Sequence, residues 1–217
     1  MAYFPMFIDI NDKICLVVGG GKVALRKVQV LLDFDARVVV VAREIIQELT
    51  DMAPDDCKND NKADKPKPLT LHKRPFEDSD LEGAFLVVVA TNDNALNQRI
   101  SDLCRRQRIP VNVVDDKEKC SYIFPSYVKE QNLVGAFSSG GNSPVLTRYL
   151  NENTRRFLTP ELGKLNEFMG QLRPRVKDTV ETEANRKALY KRVLDFFLQS
   201  KRVPDEGDIE TIISDWR

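Results

Sequence analysis

The sequence predicts an α/β chain that opens with a doubly wound parallel sheet, and three observations carry that prediction. A buried-strand run, Ile14-Cys15-Leu16-Val17-Val18, passes directly into Gly19-Gly20-Gly21. Helical spacing follows at Val23, Leu25, Val28, Leu31 and Leu32, with Lys22, Arg26, Lys27 and Gln29 between them. A β-branched run, Ala36-Arg37-Val38-Val39-Val40-Val41-Ala42, then completes a strand–turn–helix–strand unit of the kind buried on both faces of a parallel sheet. In such a Rossmann-type unit Gly19 permits the tight turn, Gly21 lets backbone approach a pyrophosphate, and Ala24 lets helix and strand pack closely. The anion then faces the positive end of the helix. The competing reading is a glycine turn that closes the unit and holds no ligand.

The remaining elements extend the alternation. From Thr50 to Pro68 the chain is dense in Asp, Asn, Lys and Pro, which predicts a mobile surface loop. Leu69-Thr70-Leu71-His72-Lys73 reads as a strand, with His72 an ordinary exposed or hydrogen-bonded imidazole. Phe85 to Ala90 resumes the buried-strand pattern, and Thr91-Asn92-Asp93 ends it with capping residues. Leu96, Ile100, Leu103 and Cys104 mark the inner stripe of a helix, and Ile109 to Val114 forms a further strand. Near Asp116 the pattern changes. Ser121 to Pro125 and Leu133 to Ser138 resemble strands with no helix between them, so a small, partly antiparallel α+β segment is expected. Ser143 suits a helix N-cap with Pro144 at the first helical position, and helical character then runs to about Gln199 with breaks near Pro160 and Pro174. A short further helix is expected between Pro204 and Arg217. The expected domains are a sheet domain over 1–115, a linking segment over 116–150 and a helical domain over 151–217.

Composition excludes several classes of function. The 217 residues carry 33 Lys+Arg against 33 Asp+Glu, so no global basic field recruits nucleic acid or an anionic membrane. No stretch is long enough to span a bilayer, and the amino terminus lacks a secretion signal's basic start and long apolar run. Cys15, Cys57, Cys104 and Cys120 lie far apart, and His72 is the single histidine, so neither a structural zinc site nor a His-rich centre is expected. Free thiols in a reducing cytoplasm fit this pattern.

Open parallel sheets bind ligands beyond the carboxyl ends of their strands, which singles out four places. Gly19, Gly21, Lys22 and Val23 would hold a pyrophosphate. Arg43 and Glu44 follow the second strand where an adenosine ribose lies. Arg43 suits either a 2′-phosphate or plain exposure to solvent, so these residues leave NAD and NADP both open. Thr91 and Asn92 either meet a nicotinamide or cap the next helix. Asp115 ends an apolar strand at the same edge, as a proton acceptor during hydride transfer or as a turn residue. The loop with Ser139, Gly140 and Asn142 offers backbone donors to a carboxylate or phosphate. Arg148, Arg155 and Arg156 follow as an acid clamp or a solvated face. Cys120, near Asp115, is either a redox-sensitive thiol or a packed one.

Taken together, Pro5-Met6-Phe7, Val18 to Lys27, Ala90-Thr91-Asn92-Asp93, Asn97-Gln98-Arg99, Asn112-Val113-Val114-Asp115 and Ser138 to Pro144 closely resemble the precorrin-2 dehydrogenase family of sirohaem synthesis. The resemblance covers most of the chain. It implies NAD-dependent oxidation of precorrin-2 to sirohydrochlorin, with Asp115 as the catalytic aspartate. It places cofactor contacts at Gly21, Lys22, Val23, Arg43 and Glu44, and it favours NAD. In some members ferrous iron is also inserted as a substrate, a sirohydrochlorin ferrochelatase activity. The resemblance further implies an intertwined homodimer paired through the segment after Asp115, with a helical tail completing the tetrapyrrole cleft. The stretch through Asn59 and Lys67 looks like an insertion, and no methyltransferase domain follows, so precorrin-2 would come from a separate enzyme. A reading of another class is a noncatalytic NAD(P)-binding dimeric sensor, which glycine loop and dimer alone would permit.

Overall fold

The computed structural model describes residues 3–53 and 68–214, which fall in two compact units that meet between Phe124 and Pro125. In the first unit β1 (Ile14–Val18), β2 (Arg37–Ala42), β3 (Leu69–Lys73), β4 (Leu86–Val89) and β5 (Val111–Val113) form one sheet in the order β3-β2-β1-β4-β5. Every pairing is parallel. Alternate residues of β1 feed opposite cores: Leu16 and Val18 face one cluster, Cys15 and Val17 the other. Helix α1 (Lys22–Asp33) seals the second cluster with Ala24, Val28 and Leu31. Helix α3 (Asn94–Gln107) seals the first with Ile100 and Cys104. The predicted doubly wound α/β sheet is therefore present, and its topological switch lies where β1 has β2 on one side and β4 on the other.

Several local expectations change. Helix α2 (Gln47–Met52) runs through Thr50, where the polar loop was expected to start, because Leu49 is drawn into the core and Gln47 Nε2 donates to Asp51 Oδ1 at 2.8 Å. Residues 54–67, with Cys57, Asn59 and Lys67, lie outside the described residues. Ser121 to Phe124 is no strand but the close of the first unit, which therefore extends past Asp115. Its groups are spent on the sheet: Ser121 Oγ accepts from Val111 N at 2.8 Å, Tyr122 and Phe124 pack on the α1-side cluster, and Cys120 belongs to the opposite core.

The second unit opens with an antiparallel hairpin, β6 (Ser126–Glu130) and β7 (Leu133–Phe137), so its first strand begins after Pro125 rather than before it. Helix α4 (Pro144–Arg155) is capped by Ser143, whose Oγ accepts from Leu146 N at 3.1 Å, with Pro144 at the first position as expected. Asn151 Nδ2 fastens α4 to β6 through Ser126 Oγ and the Tyr127 carbonyl. Helices α5 (Pro160–Thr179), α6 (Glu183–Ser200) and α7 (Glu206–Ser214) share a core of Leu165, Leu172, Val176, Leu189, Val193, Phe197, Ile209 and Ile213. Pro160 starts α5, but Pro174 does not break it; burial of Leu172 and Val176 on either side holds the helix across the missing donor. Among the described residues no helix is long and apolar enough to cross a membrane.

One ion pair braces the segment after β3. Arg74 grips Asp80 through two bonds, Nη1 to Oδ2 at 2.9 Å and Nη2 to Oδ1 at 2.5 Å, while Asp80 also accepts from Glu77 N. The Arg74 hydrogen bond is the main force holding the Asp80 carboxyl below its usual range. A depressed carboxyl stabilises the fold above the unfolded value of about 4 and loses that contribution as pH falls through the folded value. Asp80→Asn is accordingly expected to cost stability in denaturant melts at pH 7 and much less near pH 3. An equal difference at both pH values would contradict this assignment.

Candidate dinucleotide and proton-transfer site

A cavity of about 960 Å³ opens at the carboxyl ends of β1, β2 and β4, the place a doubly wound sheet reserves for ligands. The three glycines that start its wall have different duties. Gly19 has φ +126°, and a Cβ there would sit 2.2 Å from the Ala90 carbonyl oxygen. A Cβ on Gly20 would meet the Glu44 carbonyl oxygen at 2.1 Å, and Gly20 O accepts from Ile46 N at 3.0 Å. A Cβ on Gly21 would meet nothing within 4 Å. Two glycines thus let the turn press against the ends of β4 and β2, and the third leaves a cradle facing open space. The sequence pattern assigned no role to Gly20, because its contact is with the loop after β2, more than twenty residues away.

Gly21 is the N-cap of α1, makes no side-chain cap and is followed by no acidic residue in the first turn. The backbone donors of Lys22, Val23 and the next residue are left for an anion. Arg43, Glu44, Thr91 and Asn92 line the same cavity, so the structure gathers all eight expected cofactor positions. Asp93 and Arg99, from segments already singled out in the sequence, join them, as do Leu96 and, without any signal in the sequence, Phe76. Lys22 and Arg43 make no ion pair among the described residues, whereas Arg99 is held by Asp78 at 2.6 Å.

Thr91 is pinned from behind. Its hydroxyl donates to Asn97 Oδ1 at 2.5 Å, and Asn97 Nδ2 returns a bond to the Thr91 carbonyl at 3.0 Å. Asn97 is buried, and this pair fixes the turn after β4. The cap of α3 falls to Asp93, whose Oδ1 accepts from Leu96 N at 3.0 Å. Asn92 is exposed and keeps its amide for the cavity.

Asp115 lies in the turn beyond β5 with φ 61°, exposed, and is not among the cavity-lining residues. It makes no hydrogen bond or ion pair among the described residues, whereas Asp116 is engaged by Lys119 at 2.5 Å. Cys120 is buried in a cage of backbone: its Sγ lies 3.2 Å from Val113 N, Val113 O and Asp116 O. Burial raises its thiol, as it raises Cys15 to about 12 and Cys104 to about 11, which makes all three poor nucleophiles. Ser139, Gly140, Asn142 and Arg148 belong to the second unit. There Ser139 Oγ accepts from Ser143 N at 2.9 Å, and Arg148 lies on α4 beside Asn151 and Arg155 along a shallow open groove.

Residues 6–126, more than half of the chain, match the model of a family described as putative NAD(P)-binding. The chain belongs to that NAD(P)-binding family. Over 194 residues this NAD(P)-binding protein is 42% identical to the siroheme synthase of Nitrosospira multiformis, and over 193 residues it is 39% identical to that of Escherichia coli. Both alignments take in 89% of the chain but 40% of the relative, so the chain spans less than half the length of these relatives. A solved structure titled SirC, precorrin-2 dehydrogenase superposes with a TM-score of 0.70 over 98% of both chains at 20% identity, a likeness of fold. The NAD(P)-binding assignment coincides with the glycine-walled cavity, whose open cradle at Gly21 and uncapped helix start fit a pyrophosphate.

Proposed function

We propose that this protein oxidises precorrin-2 to sirohydrochlorin with NAD as acceptor. The observation that carries the reading is the pairing of a dinucleotide cradle with an unengaged carboxylate, Asp115, at the ends of neighbouring strands of one sheet. The siroheme synthase relatives and the SirC likeness support precorrin-2 as the substrate. Gly19 shapes the turn, and the amides of Gly21, Lys22 and Val23 hold the pyrophosphate. Arg43 and Glu44 meet the adenosine ribose, and Asn92, beside the pinned Thr91, meets the nicotinamide half. NAD, when bound, supplies the hydride acceptor. Asp115 takes the proton released as the macrocycle loses hydride, directly or through one water. Within the second unit, the loop with Ser139, Gly140 and Asn142 and the helix with Arg148 offer donors suited to carboxylates.

The fuller reading adds four elements. Two copies pair through apolar surface that the second unit leaves open, including Val145 and Tyr149 on α4 and Phe157 just beyond it, at 79%, 61% and 77% exposure. A separate methyltransferase supplies precorrin-2, and the protein works in the cytoplasm, which its free buried thiols suit. Insertion of ferrous iron into sirohydrochlorin is the further activity; it is supported by the relatives' name, since siroheme is an iron complex.

The test is an anaerobic mixture of protein, NAD and precorrin-2 followed by absorbance, then given ferrous iron. Absence of both NADH and sirohydrochlorin defeats the dehydrogenase reading, and siroheme formed no faster than without protein defeats the iron step. Gly21→Ala separates a ligand cradle from a structural turn. With no atom to strike and only glycine's modest N-cap advantage over alanine to lose, the variant is expected to melt within a few degrees of wild type while dinucleotide affinity, measured by calorimetry, falls about tenfold or more. Unchanged affinity would remove Gly21 from the site.

A further inference from the structure

A pyrophosphate at Gly21 and a ribose at Arg43 and Glu44 use only part of the cavity wall. The remainder has a different character: Pro75 and Phe76 come from the segment after β3, and Ala95, Leu96 and Arg99 come from α3. The three on α3 stand three and four residues apart and share one face of the helix. Phe76 belongs to the core cluster of β1, β4 and β5, and Leu96 packs against it, so this stretch of wall is an apolar outcrop of the core. Its mount is rigid on both sides. Asp93 caps α3, while Asp78 opens a single 3-10 turn, Asp78–Leu81, that carries a capping box between Glu77 and Asp80, is anchored by buried Leu81 and is braced by Arg74. Arg99 joins the two mounts, its Nη2 donating to Asp78 Oδ1 at 2.6 Å. With side chains 57% and 51% exposed, that pair adds little to stability. Its effect is geometric. A carboxylate gripping one edge of a guanidinium fixes the plane, leaves the flat faces for stacking and offsets the charge that would draw a second anion.

We propose that Arg99, set by Asp78, recognises the adenine of the dinucleotide: the purine lies on the shelf of Phe76 and Leu96, with the guanidinium stacked against it. This rests on the reading of the cavity as a dinucleotide site. The parts of that ligand leave little choice. The pyrophosphate belongs to the glycine turn, and the nicotinamide half belongs with Asn92, toward β5 and Asp115. Asp78 follows β3, at the opposite edge of the sheet, and draws Arg99 to that side. The ring that falls there is adenine, flat and uncharged, which an apolar shelf bordered by a fixed cationic plane suits. Asp78 acts through Arg99 and is a positioning residue.

Calorimetric titration of the full chain tests this without any need for turnover. AMP and nicotinamide mononucleotide each carry one ribose and one phosphate, so the base alone distinguishes them. Arg99→Ala is expected to weaken NAD and AMP alike, on the order of tenfold, and to leave nicotinamide mononucleotide unchanged. Arg99→Lys should recover little, because an ammonium keeps the charge but has no plane to stack. Asp78→Ala should weaken NAD several-fold in the wild-type background and not at all once Arg99 is alanine. Equal losses for both mononucleotides, full recovery in Arg99→Lys, or a loss confined to NADP would make Arg99 a phosphate contact and overturn the adenine assignment. An effect of Asp78→Ala that persists without Arg99 overturns the positioning role. Wild-type affinity in Arg99→Ala defeats the proposal alone, whereas a wild type that binds no NAD defeats the dinucleotide reading and the proposal with it.

Discussion

Gly19→Ala is expected to destabilise the protein by roughly 3 kcal/mol or more, among the larger effects a single methyl group produces. Two independent penalties add at this position. A φ of +126° belongs to a region open to glycine almost alone, and the new Cβ would lie 2.2 Å from the Ala90 carbonyl oxygen. That oxygen cannot retreat cheaply, because Ala90 N donates to the Val18 carbonyl at 2.7 Å at the end of the β1–β4 ladder. Relief would require unzipping the two central strands where both are buried. In thermal melts the loss corresponds to a fall of about 6–12 °C for a chain of this size. A melting temperature within about a degree of wild type would show that the turn relaxes in a way this geometry forbids. The comparison with Gly21→Ala makes the argument sharper: two alanines two residues apart should separate stability from ligand binding.

Asp115→Asn should abolish most turnover while leaving the fold and dinucleotide affinity in place. Asparagine is the informative replacement. At φ 61° an alanine would add backbone strain of its own, whereas asparagine tolerates the left-handed region and keeps the side chain's size. Only the ability to take a proton is lost, and the variant is expected to lose about 10²–10⁴-fold in kcat. Because Asp115 is exposed and has no hydrogen bond or ion pair among the described residues, its replacement removes no interaction that holds the domain together. Kinetics with precorrin-2, alongside calorimetric titration of NAD, would check both halves. Retention of more than about a tenth of wild-type kcat would end the case for Asp115 as the proton acceptor.

The sequence was most informative where structure is decided locally. The β1 run, the glycine turn, the start of α1, the strand at Leu69–Lys73 and the Ser143 cap all follow from spacing or from one residue's preferred conformation. Readings failed where distant partners decide. Ser121 to Phe124 has a strand-like pattern, but Val111, Val87 and the core beneath α1 claim its groups first. Thr91 reads equally as a ligand contact and as a cap; the cap falls to Asp93, while Thr91, held by a buried Asn97, stays in the cavity wall. Gly20 has no duty in the sequence pattern for the same reason: its importance lies in a partner that pattern cannot reveal, the loop after β2.

The contact between Gly20 and the Glu44 backbone bears on how cofactor preference could change over evolution or in the laboratory. Because the Gly19-Gly20-Gly21 turn rests on the segment that carries Arg43 and Glu44, and Ile46 bonds back to Gly20, the two loops proposed to hold the dinucleotide form one casting rather than two adjustable parts. Side chains at 43 and 44 can be exchanged freely, but a longer or shorter loop there would tilt the phosphate grip along with it. Selection between the two nicotinamide dinucleotides therefore has to proceed by substitution on a fixed backbone.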